Sequence, residues 1–171
     1  MNMKSLFLLS LGLLVVSTVP AMAQDSLGDF VTEYGYDWLI GKWSATTDDW
    51  QTVECEYKWG LDKHVILVSF TMGDFKYQGM IMFVPSREEI VQIGADNMGG
   101  TWNGTWGEDY TGAAHSMENL KADGSKEKSE MVHSKTDNNT MKIGIYDVDS
   151  YGYRQSQAKG TLTFKRQAKK N

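Results

Sequence analysis

Asp37-Trp38-Leu39-Ile40-Gly41-Lys42-Trp43 is the stretch whose reading decides the fold. Gly41 lets the chain turn sharply. Period-two alternation begins directly after it and runs almost to the C-terminus. Trp43 supplies a large apolar anchor at the start of the first strand.

Outward from Trp43 the alternation reads as about ten strands. They are expected at 42–47, 52–59, 64–72, 75–84, 89–95, 101–106, 112–120, 126–134, 140–148 and 158–166. The second is the clearest. Val53, Cys55, Tyr57 and Trp59 share one face, and Glu54, Glu56 and Lys58 share the other. Turn chemistry separates the runs: Gly60-Leu61-Asp62-Lys63, Gly73-Asp74, Pro85-Ser86-Arg87-Glu88, Gly99-Gly100, Ala122-Asp123-Gly124-Ser125 and Asp137-Asn138-Asn139. Sequential strands with short turns imply an all-β, antiparallel up-and-down barrel, whose closure removes free edges. A two-sheet sandwich is the alternative.

Upstream, 1–23 has the form of a secretory signal. Lys4 is its only charge, Leu6 to Val16 is nearly all apolar, and Ala21-Met22-Ala23 suits signal peptidase. Residues 24–40 then form a cap segment of one or two helical turns, 41–167 the barrel, and 168–171 a basic tail. The expected location is exported, either periplasmic or extracellular. Of 17 basic and 22 acidic residues only Lys4 falls within 1–23, so the remainder is acidic. That disfavours nucleic acid as a partner. Cys55 is the only cysteine, so no internal disulfide forms and stability rests on the core. It reads as a small buried apolar residue.

From Trp38 to Arg166 the chain resembles an uncharacterised lipocalin-like (calycin-like) family of exported bacterial proteins. The resemblance is carried by Leu39-Ile40-Gly41-Lys42-Trp43, Gly79-Met80-Ile81-Met82-Phe83-Val84-Pro85, Asp96-Asn97-Met98-Gly99 and the late strand Met141 to Tyr146. It departs at Leu61-Asp62-Lys63, where members often carry Gly-Arg. The resemblance implies a calycin-like barrel whose first-strand tryptophan plugs one end, and it implies no catalytic residue. In such barrels a basic residue of the last strand stacks on that tryptophan. Arg166, in register with Leu162 and Phe164, suits the role; the stack is worth about 1 kcal/mol. Gly41, Trp43 and Arg166 are therefore read as structural. The chain is also distantly similar to the haem-binding nitrobindin barrels, but their late histidine motif has no counterpart here. No cofactor is assigned.

The ligand-binding reading takes Val53, Tyr57, Trp59, Phe75, Tyr77, Ile81 and Phe83 as the lining of an apolar interior, with Trp102 or Trp106 near the mouth. Asp96 and Asn97 would orient a ligand at that mouth, or simply build a hairpin turn. The same aromatic load suits a filled barrel acting as a structural or interaction protein. An enzyme would draw on Asp96, Asn97, His115, His133, Asp147 and Asp149. His64, His115 and His133 read as surface histidines. The alternative sets His115 and His133 across one face with Glu118 or Glu130, but no spacing is diagnostic of a metal site. On strand 75–84 the outward set turns apolar at Met80, Met82 and Val84. An exposed patch there requires a cover, either the Leu27 to Leu39 segment or a second copy in a homodimer.

Overall fold

The computed structural model describes residues 26–168. The expected signal at 1–23, the first residues of the cap segment, and 169–171 lie outside them. Helix α1 (Leu27–Glu33) and a 3-10 turn (Asp37–Leu39) precede ten strands. These are β1 (Gly41–Thr46), β2 (Thr52–Gly60), β3 (Val65–Met72), β4 (Phe75–Val84), β5 (Glu89–Asp96), β6 (Thr101–Asp109), β7 (Gly112–Leu120), β8 (Lys126–Asp137), β9 (Thr140–Asp147) and β10 (Gly160–Arg166). Each pairs antiparallel with the next. β10 returns to β1 through Trp43↔Arg166 and Ser44↔Lys165, closing a ten-stranded up-and-down barrel. A single closed sheet replaces the sandwich alternative.

β6 and β8 run three residues beyond the ranges 101–106 and 126–134. Apolar alternation reports burial, whereas the hydrogen-bonded ladder continues through the polar strand ends.

The N-terminal segment closes one end of the barrel. Ser26 caps α1 in a capping box with Asp29. A seven-residue helix is marginal alone, and burial of Leu27 and Val31 in the core holds it in place. Trp43 is 1% exposed and donates its indole N–H to Leu39 O at 2.9 Å. The Arg166 guanidinium lies 4.1 Å from the Trp43 ring centroid. The same group donates to the carbonyls of Trp38, Ile40 and Asn138, fastening the cap to the last strand.

The outer wall keeps an apolar row. Leu67, Met80 and Ile93 are cross-strand partners on β3, β4 and β5, and they are 45%, 38% and 47% exposed. The Leu27 to Leu39 segment does not cover this row. It packs on the barrel end, where Phe30 meets Phe83 at 4.4 Å between centroids.

Candidate functional site

Period-two alternation sends Ile90, Gln92 and Gly94 of β5, Trp102, Gly104 and Trp106 of β6, and Ala113, His115 and Met117 of β7 into the interior. Register aligns Ile90, Trp106, His115 and Met131 in one row around the wall. Trp106 lines a cavity on each side of itself.

The outer cavity is a cleft of about 390 Å³ beneath α1. Phe30, Val31 and Tyr34 form its helical side; Phe83, Ile90 and Trp106 are among the wall residues. Tyr36 lines it too, and its hydroxyl donates to Gly112 O at 3.0 Å. The inner chamber measures about 130 Å³ and is walled by Phe70, Phe75, Tyr77, Trp102 and Met117, with Tyr57, His115 and His133 behind.

Polar side chains in this interior are chained together. The Trp106 indole donates to Gln92 Oε1 at 2.9 Å, and Gln92 Nε2 donates to the Tyr77 hydroxyl at 2.9 Å. Tyr77 lies against the wall because Gly79 and Gly94 are paired beneath it. A Cβ on either would sit 2.2 or 2.3 Å from the tyrosine oxygen. Trp106 stacks flat on His115 at 4.8 Å and tilts against His133 at the same separation. The Tyr57 hydroxyl and His133 Nε2 are 3.0 Å apart.

His115 and His133 are thus interior residues, which corrects the reading of surface histidines. The signal lay in Ala113-x-His115-x-Met117, an apolar alternation that carries His115 inward. Burial pushes the His115 pKa down to about 3, with the charge of His133 adding to the effect. Burial likewise takes His133 down to about 4, against an opposing pull from the Ala113 and Met131 backbone. Both imidazoles are therefore neutral at pH 7. Burial also raises the Cys55 thiol to about 12 and holds Tyr57 well above its ordinary value.

Among the described residues no three His, Cys, Asp or Glu side chains converge as a metal site. Glu118 pairs with Lys126, and Glu130 with Ser116 and Arg154, on the outer face. A porphyrin does not suit the imidazoles either. The chamber beside them is near the size of a benzene-binding cavity. His133 Nε2 faces Tyr57, and His115 Nε2 lies against Gly104.

Tyr57, Phe75, Tyr77, Trp102 and Trp106 line the inner chamber, while Ile81, Phe83 and Trp106 line the outer cleft. Val53 is packed solid in the core, and Trp59 packs against that core outside both cavities. Asp96 accepts from Met98 N, Gly100 N and the Trp102 indole, so it folds the β5–β6 turn and fixes Trp102. Asn97 bonds Lys76 N and Asp74 O, joining that turn to the β3–β4 turn. Asp147 pairs with Lys159, and Asp149 accepts from Tyr151 N and Tyr153 N in the β9–β10 loop. The six residues of the enzyme reading therefore do not meet in one cavity. Gln92 is a buried polar residue that sequence reasoning missed, as is Asn119 on the inward phase of β7; Gln92 is the one that joins the interior chain. Its only signal was its inward phase between Ile90 and Gly94.

No helix among the described residues is long and apolar enough to cross a membrane. No protein-family model matches the chain, and no curated protein matches it.

Proposed function

We propose that this chain is an exported β-barrel, akin to the lipocalin-like family it resembles, that binds a small apolar or amphipathic molecule in its interior. The observation that carries the reading is the cleft of about 390 Å³ between α1 and the rims of β4 to β7. The cleft is partly open to solvent, and its volume falls within the range of ligand pockets, which start at roughly 300 Å³. The cleft favours this reading over a filled barrel. Export rests on the pattern of residues 1–23 alone. A second copy docking through Met80, Met82 and Val84 belongs to the same proposal, supported by the exposed row beside them.

The test is titration with the neutral dye N-phenyl-1-naphthylamine. Saturable one-to-one binding is expected, with quenching of tryptophan emission. Ile90→Trp places an indole in the cleft from an inward position and should abolish binding while the fold survives by circular dichroism. Dye binding that never saturates, or that persists unchanged in Ile90→Trp, would rule out the cleft as the site.

A further inference from the structure

The chemistry of the cleft's edge narrows the ligand class. The charged residues lining the cleft are Glu88, Glu89 and Glu108, all carboxylates, and no basic residue lines it. Glu89 sits 3.5 Å from Arg87 in an exposed pair, whereas Glu88 and Glu108 make no ion pair within 4 Å among the described residues. The walls between that rim and Trp106 mix the rings of Phe30, Tyr34, Tyr36 and Phe83 with aliphatic side chains such as Val31, Ile81 and Ile90. Aromatic faces attract cations and offer a carboxylate nothing. The negative field reaches inside as well. The Tyr36 hydroxyl is held above its ordinary pKa by burial and then by Glu108 and Asp109. Further in, the neutral imidazoles supply no counter-charge for an anionic head.

We infer that the cleft takes a cationic amphiphile, its ammonium head at Glu88, Glu89 and Glu108 and its apolar part beneath α1 against Trp106, and that it rejects fatty-acid-type carboxylates. This inference rests on the interior-binding reading above. It names the ligand by charge, because the cleft's shape admits several apolar bodies while its rim suits one sign.

The experiment displaces N-phenyl-1-naphthylamine from the full-length protein at low salt with decylammonium, decanol and decanoate. Displacement by the ammonium is expected at concentrations about tenfold or more below those of decanoate, with the alcohol between them. Glu88→Gln combined with Glu108→Gln leaves the Arg87–Glu89 pair intact. It should shrink that gap at least about fivefold with decanol unchanged, and 0.5 M salt should shrink it in the wild type by screening. Decanoate binding as well as decylammonium, or a gap that survives in the double variant, overturns the inference while leaving the cleft as a binding site. Dye that binds but is displaced by none of the three also overturns it. Failure of the dye itself to bind removes the interior-binding reading, and this inference with it.

Discussion

At the scale of single residues, Trp43 is the anchor on which the closed end depends. It is fully buried and touches the cap, the first strand and the last. Trp43→Ala should lower stability by about 3–5 kcal/mol, read as a shifted urea midpoint. Arg166→Ala should cost about 2–3 kcal/mol, because the stack of about 1 kcal/mol is joined by partly solvated bonds to three carbonyls. Gly41 has φ +144°, and a Cβ there would lie 2.4 Å from the Arg166 guanidinium, so Gly41→Ala disturbs the same contact from the other side. The buried imidazoles give a pH dependence of definite sign. Their folded pKa values, about 3 and about 4, lie below the unfolded value near 6.5, so the unfolded chain binds protons first. Stability is therefore full above about pH 6.5 and is lost as pH falls towards 4. The loss approaches about 1.4 kcal/mol per pH unit for each imidazole. Urea midpoints at pH 7 and pH 5 check this, and His115→Leu should halve the difference. An equal difference in that variant would mean other groups carry it. Trp43 and Arg166 could be singled out because the resemblance to lipocalin-like barrels implies such a pair, and the phase of Arg166 beside Leu162 and Phe164 turns it inward. The protonation state of His115 could not, because desolvation depends on what β6 and β8 bring alongside.

At the scale of elements, the strand pattern was legible because a barrel wall has one wet face and one dry face. Each strand writes that asymmetry into its own residues. Pairs between strands were not. Gly79 and Gly94 mean little separately; only the β4–β5 register puts both beneath Tyr77. Gly94→Ala sets a methyl 2.3 Å from the Tyr77 oxygen and 2.5 Å from Gln78 O. Backbone cannot yield as a side-chain tip can, so the strand pair must shift. A loss of about 2–4 kcal/mol is expected by denaturation. It should come with a changed Trp106 emission as the Trp106–Gln92–Tyr77 chain breaks. A Gly94→Ala protein with wild-type stability and emission would show that the chain does not depend on this close approach. The turn at Leu61–Lys63 is a contrasting case. All three residues have positive φ, from +46° to +69°, and none is glycine. The bond from His64 N to Leu61 O closes the turn. Local sequence therefore located the turn without revealing its left-handed backbone.

At the scale of the whole molecule, closure decides what surfaces are left for partners. β1 and β10 close the sheet through Trp43↔Arg166 and Ser44↔Lys165, so among the described residues edge-to-edge pairing with a second copy has only the short unpaired ends of these two strands to use. The larger surface open to a partner is the side chains of an outer face. The apolar row Leu67, Met80 and Ile93 crosses three strands there, with Met82 on the same outward phase of β4. Sequence reading located the β4 part of this face, because Met80, Met82 and Val84 break the polar outward pattern. It did not include Ile93, since that neighbour is supplied by register with β5. Partial exposure means that these side chains contribute little to the fold. Met80→Lys and Ile93→Lys together should therefore leave the thermal midpoint within a few degrees of wild type. If the row is where copies meet, the wild type should sediment as a dimer at tens of micromolar concentration, and the double variant as a monomer. The two lysines would place like charges opposite one another across a two-fold contact, where the wild type buries apolar area. A wild-type monomer at every concentration would remove the homodimer. A dimer that persists in the double variant would place the contact elsewhere on the wall. Either outcome leaves the cleft beneath α1 unaffected, because that opening lies at the barrel's end and the row lies on its side.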